Sequence, residues 1–367
     1  MKRRDFIKLS LLSAGAFGLN VYSDPLFAMA GNPRKKLVFI FLKGGADVLS
    51  MFPPTQITSF RETINNSKHY NNDLKIHPSL GLSEDLIKNL MIFTHTGVKA
   101  HGSRSHFVQI EQIEKGYQSN GYFARALGNL KGVAIGSNVP KSFMGADVPL
   151  ISNLSDINKG FDLGEVKMTR SERLALFNTS KNSVLKTIVP KAIEDYDNIE
   201  KGFFNADSTT SDFVSSCVTA AELTQSPKDG SFEPSIITID FGGWDDHINL
   251  DPNNSSSAFS KRLSTLNNGL IALNDGMSSE TIVVVMSEFG RTIRINPSKG
   301  ADHGVGSAMM VFGKEVNTLF KGHKFNQSWD FSSTDKGSAG ASSEAFAVKN
   351  DCFEVLEKVI NGHVKAS

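Results

Sequence analysis

The chain has 367 residues, and its 39 Lys and Arg residues nearly balance its 38 Asp and Glu residues, for a formal net charge of +1. A chain this close to neutral gives no reason to expect nucleic acid or an anionic membrane as a partner. Its length and its 40% hydrophobic content predict a globular protein with one large α/β domain or two smaller ones.

The N-terminal segment has the three parts of an export signal. A basic segment with adjacent Arg3 and Arg4 precedes an apolar stretch that begins at Leu9, and small residues up to Ala30 form a cleavage site. The arginine pair indicates the twin-arginine route. We therefore predict a signal peptide over residues 1–30 and a mature protein that is periplasmic or secreted, with an uncleaved anchor or an ordinary amphipathic helix as the alternative. Because no later stretch approaches 18 uninterrupted apolar residues, the mature form is not expected to be embedded in a membrane.

Short apolar runs bounded by turn residues predict the strands that follow. In chain order they are Lys36–Leu42, Leu90–Thr94, the weaker Val148–Ser152, Ser235–Asp240, Thr281–Met286 and Ala308–Phe312. Continuous apolar runs are typical of strands buried on both faces, as in parallel sheets.

Helical patterns separate these strands. Between Ser256 and Met277 the apolar residues are spaced four and three apart, which predicts one buried helix face. Residues 168–205 have the pattern of long, charged helix, and Asp351–Ile360 that of a closing helix. Alternating strands and helices predict an α/β fold with a mostly parallel central sheet flanked by helices. The strand-poor region around 155–230 is expected to be a helical insertion.

The chain has two cysteines, Cys217 and Cys352. They form no CxxC or CxxH pair, so a cysteine-based zinc or haem site is not expected. We expect two free or buried thiols, with a single disulfide as the alternative in an oxidising compartment.

Polar side chains gather where the predicted strands end. They are Asp47, His95, His101, Ser103, Ser105, His106, Asp240, Asp245, Asp246, His247, Glu288, Arg291, Asp302 and His303. Because ligands bind beyond the carboxyl ends of parallel strands, we expect these side chains to converge on one edge of the sheet. Asp, Glu and His without Cys form an oxygen and nitrogen ligand set for a divalent cation, with Zn or Mn favoured and Mg or Ca as further candidates.

The same residues also have structural interpretations. An aspartate before a helix or in a glycine turn, such as Asp47, is a common turn or capping residue. Glu288 and Arg291 could form a simple ion pair, and Ser103 and Ser105 could cap the following helix. Recurrence of such residues after several strands is what favours a metal site.

Five motifs together resemble a known family. GGAD after the first strand, then RSHF, DFGGWDDH, SEFGRT and DHGVG, between Lys36 and about Gly313, resemble the domain of unknown function 1501 family. That family is exported and bacterial, and it is similar to the alkaline phosphatase and sulfatase superfamily. The resemblance implies an alkaline-phosphatase-like domain over residues 31–367, with a central sheet between helices and a site that often holds two metals.

The resemblance also implies roles for individual residues. The metal ligands that it implies are Asp47, Asp240 or Asp245, His247, Glu288 and His303. The nucleophile corresponds to Ser105, with Ser103 as the alternative. Phe289 stands where the superfamily has a further metal-binding histidine, so one of the two metal positions is weakened unless His106 or Asp302 fills it.

The resulting hypothesis is an exported metal-dependent hydrolase of phosphate or sulfate esters. Ser105 would be the nucleophile, and Arg291 or Arg104 would hold the substrate oxygens through paired hydrogen bonds. Its partners would be a small-molecule or glycan ester and the twin-arginine export machinery. The alternative is a catalytically degenerate exported binding or assembly protein on the same fold, and a carbohydrate-modifying transferase is a third hypothesis.

Overall fold

The computed structural model describes residues 34–56, 61–100, 102–151, 212–225, 233–336 and 344–366. The predicted signal peptide over residues 1–30 and the helical pattern over residues 168–205 lie outside this part of the chain. The same holds for most of the insertion predicted around 155–230.

An eight-stranded sheet forms the centre of the fold, with strand order β12-β4-β9-β8-β1-β7-β5-β6. The strands in the described residues are β1 Lys36–Leu42, β2 Lys68–His69, β3 Lys75–Ile76, β4 Leu90–Gly97, β5 Gly132–Ile135, β6 Leu150–Ile151, β7 Ile236–Phe241, β8 Thr281–Ser287, β9 Ser307–Phe312, β10 Thr334–Asp335, β11 Ala345–Phe346 and β12 Asn350–Asp351. Every residue of β1, β8 and β9 is buried, which is why these strands appear in the sequence as continuous apolar runs. All six predicted strands are present, and the weaker one is reduced to β6.

Strand β9 is the exception to the parallel arrangement. It runs antiparallel to both of its neighbours, β4 and β8, whereas the other pairs in the sheet are parallel. The loop before β9 therefore lies at the edge where β1, β4, β7 and β8 end. The backbone also forms hydrogen bonds across this edge. Arg291, after β8, forms an antiparallel bridge with His303, before β9.

Helices cover both faces of the sheet. In the described residues they are α1 Val48–Met51, α2 Glu84–Lys88, α3 His106–Lys115, α4 Tyr122–Leu127, α5 Asp212–Thr224, α6 Ala258–Gly276, α7 Val316–Leu319 and α8 Cys352–Gly362. Alternate side chains of a strand point to opposite faces. Accordingly, Val38 and Ile40 of β1 pack in one core with α5 and α6, whereas Phe39 and Phe41 pack in the other with α3, α4 and α8. The predicted α/β class, with a mostly parallel sheet flanked by helices, is confirmed.

Two helices form where their sequence patterns predict them. Helix α6 begins after Ser257, whose hydroxyl accepts a hydrogen bond from the Ser260 N–H at 3.1 Å. Its apolar face is fully buried, from Phe259 to Leu273. Helix α8 begins after Asp351, which caps the Phe353 N–H in the same way. No helix in the described part of the chain is long and apolar enough to span a bilayer.

Both cysteines are buried and free, as expected. Cys217 lies in α5 and Cys352 begins α8, so the two thiols belong to cores on opposite faces of the sheet. Burial raises the pKa of each thiol above its usual range, which keeps both in the neutral form.

Candidate metal centre

Four segments deliver side chains to one place at the carboxyl edge of the sheet. His106 is the first residue of α3, and the loop after β7 carries Asp245 and His247. Glu288 follows β8 directly, and His303 lies in the glycine-rich loop before β9. The antiparallel direction of β9 brings His303 to the same edge as the others.

Asp245 is the centre of this cluster. Its Oδ1 lies 3.0 Å from His247 Nε2, 3.3 Å from His303 Nε2 and 3.4 Å from His106 Nε2. The Nε2 atom of His303 is in turn 3.0 Å from that of His106 and 2.9 Å from that of His247. His106, Asp245 and His303 each offer one ligand atom, and those three atoms lie within 4.8 Å of one another. The spacing is suited to a single divalent cation.

The other ring nitrogen of each histidine is held by an oxygen acceptor. Nδ1 of His106 lies 2.7 Å from Glu288 Oε1, and Nδ1 of His303 lies 2.7 Å from the carbonyl oxygen of Arg104. Nδ1 of His247 lies 3.1 Å from Asp302 Oδ1. Because these oxygens accept, each Nδ1 carries the hydrogen in the neutral ring, and the Nε2 lone pair points inward.

Inward lone pairs at this spacing repel one another unless a proton or a metal cation lies between them. Metal-binding histidines commonly donate their second ring N–H to a carboxylate or a carbonyl, which fixes the ring and makes it a better ligand. The residues present therefore fit a divalent metal. His106, Asp245 and His303 are the candidate ligands, and His247 adjoins them.

The electrostatics of the cluster favour ionised carboxylates. Burial by itself would raise the pKa of Asp245, but the hydrogen bond and charge of Arg291 and the neighbouring histidines lower it to about 2. Burial opposes ionisation of Glu288 as well, yet hydrogen bonds from His106 and from backbone N–H groups lower its pKa below the usual value. Burial also lowers the pKa of His303, so this ring is neutral and able to bind a metal.

Phe289 is an apolar wall behind two of the histidines. Its ring is 1% exposed, and its centroid lies 4.8 Å from that of His106 and 4.9 Å from that of His303. The ring also fills the space beside Gly45, which has φ +65° and where a Cβ atom would lie 2.3 Å from Phe289 Cε2. Tightly packed hydrocarbon therefore occupies position 289, directly after Glu288.

The buried Arg291 side chain joins the loops that form the centre. Its guanidinium donates to the carbonyl oxygens of Gly44, Gly45, Trp244 and Ala301, and also to Asp245 Oδ1 at 2.6 Å. These acceptors come from the loops after β1 and β7 and from the loop before β9. The sequence predicts that the Arg291 guanidinium holds substrate oxygens. In the structure its N–H groups donate to the protein's own loops instead.

Two predicted ligands have cationic partners of their own. Asp47, just before α1, forms a buried ion pair with Arg61, which also donates to two backbone carbonyls. Asp240, in β7, accepts from Lys43 Nζ at 2.6 Å, and burial raises its pKa. The structure thus brings together Asp245, His247, Glu288 and His303 of the predicted ligands, and it adds His106.

His106 had a weak signal in the sequence. It follows Ser105 in the RSHF motif and is one of many polar residues near the predicted strand ends, and the family resemblance gives it a role only as a replacement for the histidine absent at position 289. A position at the start of a helix that itself begins near the carboxyl edge of the sheet is the signal that could have identified it as a ligand.

Ser105 and Ser103 lie at the entrance of α3. Ser105 occupies the N-cap position and is half-buried, and its hydroxyl makes no capping hydrogen bond. The Ser103 hydroxyl accepts from the Ser105 N–H at 3.2 Å, and the Ser103 N–H donates to Gln109 Oε1 at 2.9 Å. Ser103 therefore supports the turn, and the Ser105 hydroxyl stands next to His106 at a helix N-terminus.

Asp47→Asn is expected to lower stability and to leave metal binding intact. Its carboxylate is 1% exposed and neutralises the Arg61 guanidinium, which is 8% exposed. Breaking a buried ion pair by removing one partner costs about 3 kcal/mol or more. Urea unfolding of the metal-free protein and metal analysis of the native protein measure the two effects separately.

The matched control for Asp47 is Glu111→Gln, which removes a half-exposed partner of Lys115 on the surface of α3. That change is expected to alter the free energy of unfolding by less than about 1 kcal/mol. Loss of the metal in Asp47→Asn without loss of stability would place Asp47 among the ligands after all.

Residues 152–323 match the family model described as Protein of unknown function (DUF1501). This range contains the DFGGWDDH, SEFGRT and DHGVG motifs, whereas GGAD and RSHF lie before it. No curated protein matches the sequence.

Several solved structures are distantly similar to this chain. One is the C-terminal periplasmic domain of EcEptC from Escherichia coli in complex with Zn, with 11% identity over 78% of this chain and 75% of that chain and a TM-score of 0.35. Another is a protein in the alkaline phosphatase superfamily from Vibrio parahaemolyticus, with 12% identity over 86% and 70% of the two chains and a TM-score of 0.34. A third is the alkaline phosphatase of the Antarctic bacterium TAB5, with 11% identity over 77% and 93% and a TM-score of 0.29.

With TM-scores this low, these structures carry no argument about the chemistry of the centre. The family match is the firmer finding, because it covers the three motifs that supply Asp245, His247, Glu288 and His303. Over residues 152–323, the chain therefore matches the family called Protein of unknown function (DUF1501), as its motifs predict.

Proposed function

We propose that this protein is an exported metal-dependent hydrolase of phosphate or sulfate esters. The observation that carries the proposal is the convergence of histidine Nε2 atoms on Asp245 Oδ1, with every outward Nδ1 atom held by an oxygen acceptor. The twin-arginine signal over residues 1–30 would export the folded protein to the periplasm or beyond. The substrate would be a small-molecule or glycan ester.

His106, Asp245 and His303 would hold the metal, and His247 would adjoin it. Two or three imidazole nitrogens with one carboxylate oxygen suit Zn best, and Mn is the next candidate. Mg and Ca prefer all-oxygen ligand sets and fit these residues less well. The superfamily that the sequence resembles has a further metal-binding histidine where this chain has Phe289. Because the Phe289 ring is hydrocarbon, we propose one metal rather than two.

The bound metal would polarise the ester and lower the pKa of the attacking hydroxyl. Ser105 Oγ would attack the phosphorus or sulfur atom and release its proton to solvent, and the bond to the leaving alcohol would break as that alcohol takes up a proton from solvent. Water would then cleave the seryl ester and regenerate Ser105. Unpaired N–H groups in the first turn of α3 would stabilise the anionic oxygens of the substrate.

The second candidate is a binding or assembly protein on the same fold. Arg291 favours it, since its guanidinium already donates to four carbonyl oxygens and one carboxylate. In that case the metal would be structural, and it would bind without any ester turnover.

The test is metal analysis and an ester screen on residues 31–367, purified without chelator. We expect about one equivalent of Zn or Mn, and turnover of at least one phosphate or sulfate ester. His303→Ala should lower metal affinity by at least about 100-fold, because one ligand is removed from a small set. The matched control is His69→Ala at an exposed position, which should keep the metal.

Three outcomes of this test are informative. Metal retained by the control and lost in His303→Ala, together with turnover, supports the hydrolase. Bound metal without turnover across phosphate and sulfate esters supports the binding or assembly protein. Well-folded protein that takes up no metal after reloading contradicts both the centre and the hydrolase.

A further inference from the structure

The acceptors that hold the histidines of the centre differ in how firmly they are themselves fixed. Nδ1 of His303 faces a backbone carbonyl oxygen, and Nδ1 of His106 faces Glu288, whose side chain is fully buried. The acceptor of His247 is the carboxylate of Asp302, whose side chain is 51% exposed. Because a half-exposed carboxylate can adopt several rotamers, the His247 ring is held only as well as Asp302 is.

The side-chain amide of Asn296 fixes this carboxylate. Its Nδ2 donates at 2.9 Å to Asp302 Oδ1, the same oxygen that lies 3.1 Å from His247 Nδ1. Nδ2 also donates at 2.9 Å to the backbone carbonyl oxygen of His247. One amide thus holds both the residue that carries the ring and the acceptor that orients the ring.

The hydrogen-bonding groups of the Asn296 amide are all used. Its Oδ1 accepts from the backbone N–H groups of Ser298 and Gly300, each at 3.0 Å. A flipped amide would place its donors against these two N–H groups and its oxygen against two other oxygens, so only one orientation fits. The amide is therefore fixed with its donors toward Asp302.

The turn that carries Asn296 is packed against the loop that carries His247. The Asn296 N–H donates to the Gly300 carbonyl oxygen at 2.8 Å, which closes the turn. A Cβ atom on Gly300 would lie 2.0 Å from the His247 carbonyl carbon, so the two backbones are in direct contact. Ile248 and Lys299 add an antiparallel bridge between the same segments. Asn296 thus contacts Asp302 from a turn that is itself held in place.

We infer that Asn296 is a positioning residue of the metal centre, which holds Asp302 and through it keeps His247 Nε2 beside Asp245 Oδ1, at 3.0 Å. This role rests on the proposed function, since it presupposes a metal at the centre, but it does not require ester turnover. Asn296 is not itself a ligand and takes no part in bond breaking. Groups that orient a metal-binding histidine in this way change metal affinity by about 10- to 100-fold.

The test is Asn296→Asp in the mature protein, with Zn²⁺ affinity measured by competition against a chromophoric chelator. The change keeps an oxygen for the Ser298 and Gly300 N–H groups, but it places a second carboxylate oxygen against Asp302. Because like charges at this distance repel, Asp302 should release the His247 ring. We expect Zn²⁺ affinity to fall by about 10- to 100-fold.

The matched control is Asn254→Asp, in the loop before α6. The Asn254 side chain likewise donates to an aspartate, Asp251, at 2.9 Å, and it accepts from the Ser256 N–H at 2.9 Å. The control therefore makes the same isosteric change and creates the same kind of repulsion in a different loop. Its Zn²⁺ affinity should equal that of wild-type protein.

A second background separates positioning of His247 from support of the turn. Asp302→Asn removes the charge that the new carboxylate would repel. Asn296→Asp should therefore lower Zn²⁺ affinity much less in the Asp302→Asn background than in wild-type protein. An equal fall in both backgrounds would mean that Asn296 supports only its own turn, and it overturns the inference.

The remaining outcomes separate this role from the hydrolase. Unchanged Zn²⁺ affinity in Asn296→Asp overturns the inference, and so does wild-type protein that binds no Zn²⁺. Ester turnover by wild-type protein, with unchanged Zn²⁺ affinity in Asn296→Asp, contradicts the inference and supports the hydrolase. A fall in affinity that depends on Asp302, without turnover of any phosphate or sulfate ester, does the reverse.

Discussion

Ser105→Ala is expected to reduce ester turnover by at least about a thousandfold while the bound metal is retained. Ser105 is half-buried at the N-terminus of α3, directly before His106, and its hydroxyl makes no capping bond. Loss of this hydroxyl removes the attacking oxygen but none of the candidate ligands. Initial rates on the best ester from the screen, together with metal analysis of the same preparation, measure both effects.

The matched control is Ser103→Ala, two residues earlier. The Ser103 hydroxyl accepts from the Ser105 N–H, so its removal should loosen the turn and lower turnover by no more than about tenfold. Full activity in Ser105→Ala would reject Ser105 as the nucleophile. Loss of activity in Ser103→Ala alone would transfer the assignment to Ser103.

Arg291→Lys is expected to destabilise the metal-free protein by about 3 kcal/mol or more, because several buried acceptors lose their hydrogen bonds. The Arg291 side chain is fully buried, and its donors reach the loops after β1 and β7 as well as the loop before β9. A lysine ammonium is a single point with three donors, and it cannot span acceptors that are arranged around a planar guanidinium. Several buried carbonyl oxygens would therefore lose their hydrogen bonds.

Urea unfolding in the presence of chelator measures this effect without the contribution of metal binding. The matched control is Arg294→Lys, three residues away at an exposed position, which should change the free energy of unfolding by less than about 0.5 kcal/mol. Unchanged stability of Arg291→Lys with reduced ester turnover would instead return Arg291 to the substrate-holding role that the sequence suggests.

Local pattern was sufficient to predict the main elements. The runs that become β1, β8 and β9 are apolar at nearly every position because these strands are covered on both faces. Helix α6 was predictable for the same kind of reason, since Phe259, Leu263, Leu266, Leu270 and Leu273 repeat with helical spacing and all belong to one core. In both cases the signal is carried by residues close together in the chain.

The ligand set was only partly predictable. Asp245, His247, Glu288 and His303 were identified because they follow or precede strands, and the structure brings them together. Asp47 occupies an equivalent place after β1 but is paired with Arg61, a residue that no motif connects to it. The packing of distant segments decides that Asp47 pairs with an arginine whereas Asp245 lies among the histidines. A single sequence does not contain that information.

The sequence by itself predicted the export signal. It also determined the strand and helix pattern and contained the motifs that match the family. The tertiary structure decided which side chains meet. The antiparallel direction of β9 carries His303 to the edge where β1, β7 and β8 end, and the start of α3 adds His106. The contact between His106 and His303, whose Nε2 atoms are 3.0 Å apart, joins residues 197 positions apart in the chain. Such contacts are created by long-range chain closure, whereas sequence periodicity reports only on neighbours along one helix or strand.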